Sequence, residues 1–395
     1  MSERFVGKKI QSIPPSGIRK FFDMAGKIPN VISLGIGEPD FVTPYKIRRA
    51  AIDSLLNGET QYTENAGLLA LRHEIAEYLL KRHGLKYKPE NEIMVTVGAS
   101  EAIDLCLRAV LEKGDEVILQ DPGYISYAPC VAMCGGVPVK ARVYGEDNFE
   151  LRAEEIEKHI TKKTKAIILS YPNNPTGSLI SKKALEEIAE IAKRHDLLII
   201  SDEIYNELVY DGKRQVSIAS LPNMKERCVT INGFSKAFAM TGHRVGYMCA
   251  PEAITKAALK IHQFTILCAS RTSQMAAMEA LKDGKSDNYK EVALMRESYN
   301  QRRRLMYNTF NKMGLDCVEP HGAFYAFPSI KRTGLTSDEF CERLLKEEAV
   351  VCVPGTAFGE GGEGYVRCCY ATDIEKMKEA FARMERFILH LGGTA

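Results

Sequence analysis

The chain has 395 residues, 45% hydrophobic and 26% charged, which is ordinary for a folded protein of two or three domains and far from disordered or fibrous composition. Lys+Arg 53 against Asp+Glu 51 leaves a formal charge of only +2, so no overall field favours a phosphate backbone and nucleic acid is not an expected partner. No segment has the apolar length of a membrane span or a signal-peptide core, so no membrane association is expected and a cytoplasmic location is.

Residues 1–45, rich in Gly and Pro, are too short to fold alone and are expected to join a second domain. Over 93–249, short apolar runs alternate with amphipathic stretches, the pattern of strands joined by crossover helices. Strands are expected at 93–97, 116–119, 137–143, 166–170, 197–201, 228–232 and 245–249. A helix is expected at 181–195, where Ala184, Leu185, Ile188, Ile191 and Ala192 share one face. The result is an α/β fold, a mostly parallel sheet sandwiched by helices.

A helix follows at 251–262, and over 285–313 the chain turns charged and helical, with three arginines at 302–304. A long solvated helix of this kind is suited to leave one domain and begin another. The remainder mixes strands (324–327, 350–353, 365–369) with helices (337–347, 374–391), a smaller α+β domain. The expected division is 1–45 as N-terminal arm and part of the small domain, 46–283 as the large domain, and 284–395 as the small domain.

In open parallel sheets, ligands bind beyond the carboxyl ends of the strands. Four clusters follow predicted strands there: Gly98-Ala99-Ser100, YPNNPTG at 171–177, SDEIY at 201–205 and NGFSK at 232–236. The first opens a helix, so its backbone N–H groups and the Ser100 hydroxyl suit a phosphate; an ordinary N-cap at Ser100 explains it equally well. Pro175 and Gly177 set a turn that holds Asn174 rigidly, with a purely structural turn as the alternative. Asp202 serves either as a helix cap or as a carboxylate that keeps a heteroaromatic nitrogen protonated, with Tyr205 on the same helical face.

A lysine is ordinarily a solvated surface residue. Lys236, however, sits in NGFSKAFAMTGHRVGY among small and apolar neighbours, a setting that lowers an amine's pKa and lets it attack an aldehyde. Arg244, eight residues on, offers a second cation for a phosphate. Eleven cysteines without a CxxC pair read as small buried hydrophobes, with a redox role for Cys130 and Cys134 or for Cys368 and Cys369 as the alternative. Eight histidines without an HxxxH pair give no expectation of a metal.

These residues closely resemble the class I and II aminotransferases of pyridoxal-phosphate fold type I. The likeness runs through SGIRKF at 16–21, LGIGEPDF at 34–41, YPNNPTG, SDEIY, SKAFAMTGHR, GAFYAFP at 322–328, VPGTAFG at 353–359 and YVRCCYA at 365–371, nearly the whole chain. It implies pyridoxal 5′-phosphate as cofactor, bonded to Lys236, which also moves the substrate's α-proton. It implies that Asp202 partners the ring nitrogen, that Asn174 and Tyr205 meet the phenolic oxygen, and that Tyr124 stacks on the ring. Phosphate binding falls to Ala99, Ser100, Ser235 and Arg244, with Tyr62 reaching across from a second subunit of a homodimer. Arg367 matches the arginine that clamps the substrate's α-carboxylate, assisted by the backbone near Gly37 and by Asn174.

The reaction so implied moves the amino group of an L-amino acid to a 2-oxo acid such as 2-oxoglutarate, by a ping-pong cycle through pyridoxamine phosphate. Aspartate, aromatic, alanine and N-acetyl-diaminopimelate substrates all occur in the branch it resembles, and fold cannot separate them. Two other readings are a C–S β-lyase on the same scaffold, which would release ammonia and pyruvate without an oxo acid, and a non-catalytic regulator, which would need a DNA-binding segment ahead of the sheet. Three positions depart from the pattern: Gly233 where relatives carry a hydroxyl, His243 where they carry tryptophan, and Arg271. Arg271 is either a structural arginine or one that faces an acidic substrate's distal group.

Overall fold

The computed structural model describes residues 3–392 except 16, 19–23 and 27. Ser16 and 19–21 of the SGIRKF motif lie outside the described residues. Twelve strands occur among the described residues: β1 (Ile32–Ser33), β2 (Ile93–Thr96), β3 (Glu116–Asp121), β4 (Val137–Arg142), β5 (Thr164–Ser170), β6 (Leu198–Asp202), β7 (Cys228–Gly233), β8 (Gly246–Cys249), β9 (Tyr325–Ala326), β10 (Val350–Val351), β11 (Val353–Pro354) and β12 (Val366–Cys369). Seven form one sheet in the order β2-β8-β7-β6-β5-β3-β4. All its neighbouring pairs are parallel except those of β8, which runs antiparallel to both β2 and β7.

Alternation of side chains explains the sandwich. Ile167, Leu169 and Ile199 enter one core with the helices Leu69–His83 and Lys182–Arg194. Ala166, Ile168 and Ile200 enter the other with the helices Gly98–Val110 and Glu252–Thr265. With apolar residues on both faces the strands read as continuous runs, which is why they were visible in the sequence. The helix Lys182–Arg194 begins where Ser181 caps it, its side chain accepting from the Ala184 N–H at 3.1 Å.

A third core belongs to the smaller α+β part. Here β11, β12 and β9 form an antiparallel sheet, and β1 from the N-terminal segment pairs in parallel with β10. The single strand expected at 350–353 is two short ones interrupted at Cys352, because β10 pairs with β1 and β11 with β12. The helix expected over 285–313 is also divided: one helix, Arg271–Ser286, ends there and another, Lys290–Lys312, begins. Asn288 and Tyr289 between them take φ of 56° and 58°, which no right-handed helix accommodates. Packing holds the break, since the Tyr289 ring meets Tyr78 edge-on at 5.4 Å and lies under Arg82 at 5.1 Å.

Candidate active site

Beyond the carboxyl edge of the seven-stranded sheet lies a cavity of ≈ 550 Å³. It is lined from each of the four strand-end loops: Ala99 and Ser100 after β2, Asn174 after β5, Asp202 and Tyr205 at and after β6, Ser235 and Lys236 after β7. Arg244 reaches the same edge because β8 is antiparallel, so that its start lies beside the other strands' ends. Gly37, Tyr124 and Arg367 complete the lining among the predicted residues. Tyr62 does not join them; its side chain is 78% exposed at the surface of the chain.

Lys236 donates from Nζ to the Gly37 carbonyl at 2.7 Å and lies 5.5 Å from the centre of the Phe324 ring and 5.8 Å from that of Tyr205. Burial pushes its pKa down to about 8, only partly opposed by Cys369 and assisted by Arg367. The amine is therefore partly unprotonated near neutrality, the state that attacks a carbonyl carbon.

Asp202 is buried at the end of β6. Its Oδ2 accepts from the Tyr127 hydroxyl at 2.7 Å and its Oδ1 from the Ile204 N–H at 3.2 Å. Burial raises its carboxyl above the usual range, with these two bonds and then Lys236 pulling it back. Among the described residues no cation pairs with it, so the carboxylate is suited to hold a proton on a basic nitrogen brought against it.

Gly98 opens the helix Gly98–Val110 with φ +78°, a left-handed conformation, and a Cβ there would stand 2.5 Å from Arg244 Nη2. The guanidinium thus lies over the helix N-terminus. Ser100 does not act as the N-cap; Val97 holds that position, and Glu101 accepts the Val97 N–H at 2.5 Å. The Ser100 side chain is left facing the cavity. Arg244 donates to the Thr241 carbonyl at 3.1 Å and has no carboxylate partner among the described residues. Helix N–H groups, two serines and an arginine make an anion site.

Arg367 donates from Nη1 to Asn174 Oδ1 at 2.9 Å and from Nη2 to the Gly35 carbonyl at 2.6 Å. Its guanidinium lies over the rings of Tyr325, at 4.4 Å, and Phe358, at 4.9 Å, while Nε has no hydrogen-bond partner among the described residues. A planar cation held on its edges and faces, with donors to spare, suits a carboxylate.

Sequence reasoning missed Tyr127, Gly35 and Tyr325. Tyr127 begins the helix Tyr127–Met133 and Tyr124 precedes it, so no helical face joined the two in the sequence, although their rings meet edge-on at 5.3 Å. Gly35 and Tyr325 lie within the motifs LGIGEPDF and GAFYAFP, but carry no assigned role there.

The departures also have structural settings. At Gly233 a Cβ would stand 3.0 Å from the Gly246 Cα, so a side chain there requires β7 and β8 to part by a few tenths of an ångström. His243 is half-buried, and burial lowers its pKa. Arg271 begins the helix Arg271–Ser286, pairs with Glu59 at 3.5 Å and is absent from the cavity lining.

Outside the cavity, Asp211, Glu319 and His321 approach one another as a cation site would. Arg303 and Arg304 already bind the two carboxylates. All eleven cysteines are free thiols; burial pushes Cys130 and Cys134 up to about 11, away from thiolate reactivity. No helix among the described residues is long and apolar enough to cross a membrane.

Residues 29–384 match the sequence profile of the family described as aminotransferase class I and II. The chain is 49% identical over 380 residues to an aspartate aminotransferase of Pyrococcus abyssi, covering 96% of this chain and 97% of that one. It is 48% identical over 380 residues to aromatic-amino-acid aminotransferase 2 of Thermococcus litoralis, with the same coverage. The solved aromatic aminotransferase of Pyrococcus horikoshii superposes with a TM-score of 0.90 at 48% identity, over 94% of this chain and 99% of that one.

Proposed function

The chain belongs to the class I and II aminotransferases and is an aminotransferase, and from that premise we propose that its cavity holds pyridoxal 5′-phosphate on Lys236 and moves the amino group of an aspartate-like or aromatic L-amino acid to a 2-oxo acid such as 2-oxoglutarate. The observation that carries this reading is the Lys236 amine, which is depressed to about 8 in a cavity shared with an unpaired buried carboxylate and an anion site. The volume of ≈ 550 Å³ suits a small-molecule cofactor together with its substrate.

When bound, the cofactor supplies an aldehyde that exchanges the amino group in a ping-pong cycle and a protonated ring that accepts the electron pair left at the substrate's α-carbon. Lys236 Nζ takes and returns the α-carbon proton. Asp202, fixed by Tyr127, holds a proton on the ring nitrogen. Tyr205 and Asn174 donate to the phenolic oxygen; Asn174 Oδ1 already accepts from Arg367, so its amide N–H₂ is the end left to donate.

Tyr124 would stack on the ring, and the Ala99 backbone, Ser100, Ser235 and Arg244 would hold the phosphate. Arg367, with the backbone near Gly37, grips the α-carboxylate and sets the angle of the bond that breaks. Exposed Tyr62 is assigned to the phosphate of a second copy, which makes a homodimer part of the reading. So are a cytoplasmic location and a division into a large domain, 46–283, and a small one, 284–395 with 1–45.

The test is cofactor uptake. Cofactor-free protein mixed with pyridoxal phosphate between pH 6 and 10, followed by absorbance, should bind faster as pH rises, with a midpoint near about 8 set by Lys236 losing its proton. No uptake, or a midpoint near that of a free lysine, would overturn the assignment. Half-reactions with single amino acids then identify the donor. In that assay Arg271→Ala is expected to leave the ratio of aspartate to phenylalanine rates unchanged, since Glu59 already engages the guanidinium. The same change should cost at most about 1 kcal/mol of stability, as a partly exposed pair does.

A further inference from the structure

One aromatic residue in the cavity wall is used by none of these roles. Tyr325, on β9, is 1% exposed. Its hydroxyl lies 2.8 Å from that of Tyr205 and has no other hydrogen-bond partner among the described residues. Its ring face lies 4.4 Å from the Arg367 guanidinium carbon. A Cβ on Gly37 would come within 2.5 Å of its hydroxyl, and it is the Gly37 carbonyl that holds Lys236. One side chain therefore contacts the phenolic-oxygen donor proposed above, the carboxylate arginine and the segment that seats the lysine.

We propose that Tyr325 is a positioning residue for the reaction: its hydroxyl donates to Tyr205, freeing the Tyr205 proton for the cofactor's phenolic oxygen, and its ring holds Arg367 in the orientation that grips a carboxylate. The inference rests on the cofactor reading above. A phenol has one proton to give and two lone pairs. Burial raises the pKa of both tyrosines, so both protons stay on and one of them occupies the shared bond. Both hydroxyls line the cavity and either can donate in the shared bond; once Tyr205 gives its one proton to the phenolic oxygen assigned to it, the proton left for the shared bond is that of Tyr325. A hydroxyl that accepts one hydrogen bond becomes a stronger donor in the next.

The Arg367 end is independent of that proton. The guanidinium is fixed at its edges by Asn174 and Gly35, and its contacts with Tyr325 and Phe358 resist tilting. The two functions reside in different parts of one side chain and separate by mutation.

Tyr325→Phe removes the hydroxyl and keeps the ring; Tyr325→Leu removes both. The first readout is the pH midpoint of the bound cofactor's absorbance change. A weaker Tyr205 donor leaves more negative charge on the phenolic oxygen and holds the neighbouring proton on the lysine nitrogen more tightly, so both variants should titrate higher, by about half a unit. The second is the dissociation constant of maleate, an unreactive dicarboxylate, followed by the same absorbance. Tyr325→Phe should bind it within about two-fold of the parent and Tyr325→Leu about ten-fold more weakly.

A merely structural tyrosine would lower the melting temperature and move neither readout selectively. An unchanged midpoint in folded Tyr325→Phe overturns the proposal, as does equal weakening of maleate binding in both variants. If Tyr325→Leu does not fold, Tyr325→Phe decides through its midpoint. Failure of the parent protein to take up pyridoxal phosphate is a different result, and it removes the cofactor reading itself.

Discussion

Replacing Lys236 by Ala is expected to lower turnover by about 10⁴-fold or more while leaving the protein folded. Proton transfer by a positioned side chain is worth about 10²–10⁴-fold, and this amine also makes the covalent attachment, so both contributions disappear together. The effect on stability is small because two changes oppose each other. The substitution leaves the Gly37 carbonyl without its donor, which costs about 1–3 kcal/mol. It also removes a lysine whose folded pKa is lowered. Such a group costs stability that is fully present below the folded value of about 8 and disappears above the unfolded 10.5. The checks are steady-state turnover, the cofactor's visible absorbance and a thermal melt at pH 7. A variant that kept a tenth of the parent rate would remove Lys236 from the chemistry.

Asp202→Asn is expected to separate activity from stability. The amide has the shape of the carboxylate but cannot hold a proton on a ring nitrogen, so turnover should fall by about 10²–10⁴-fold, the range for a lost acid–base partner. In the cofactor-free protein the same change should stabilise. Burial raises the Asp202 pKa, and an acid raised in this way costs stability that begins as pH climbs past the unfolded value of about 3.9 and is complete above the folded one. At pH 8 the cofactor-free variant should therefore melt higher than the parent, and the gap should close toward pH 4. The amide oxygen can accept from the Tyr127 hydroxyl as the carboxylate does, but its NH2 then faces the Ile204 N–H, and losing that bond offsets the gain by about 1 kcal/mol. A variant that melted well below the parent at pH 8 would show that the folded protein gains more from the Asp202 charge than burial costs it.

Both experiments act on groups that the fold brings to a common edge by simple means. Parallel strands β5, β6 and β7 end on the same side, so Asn174, Asp202 and Lys236 arrive there although up to 62 residues separate them, as 236 less 174. The N-terminal segment provides the remaining carbonyls: Gly35 for Arg367 and Gly37 for Lys236, across 332 and 199 residues. That segment is anchored by β1 pairing with β10, next to the strands that carry Arg367.

Much of this was legible in the chain itself. Apolar runs spaced by amphipathic helices reveal a parallel sheet because each parallel pair needs a crossover, and the crossover has its own period. The loops after β2, β5, β6 and β7 were therefore identifiable as one edge, and Lys236 stood out because small apolar neighbours surround a residue that usually has charged ones. Local sequence also misled where packing overrode it. The helix expected over 285–313 runs straight through Asn288 and Tyr289, but Gly284 leaves room for the ring of Tyr289, whose backbone N–H donates to the Gly284 carbonyl, and Tyr78 and Arg82 of a distant helix hold that ring.

What the sequence alone determined was the period of each element, the order of the loops and the kinds of side chain they carry, since these depend on residues within a few positions of one another. Only the tertiary structure decided that β8 runs backward and so delivers Arg244 to the cavity, that Arg271 meets Glu59, and that Tyr325 joins Tyr205 to Arg367. Those are pairings between residues far apart in the chain, chosen by burial and by the demand that buried polar groups find partners, and no local pattern records them.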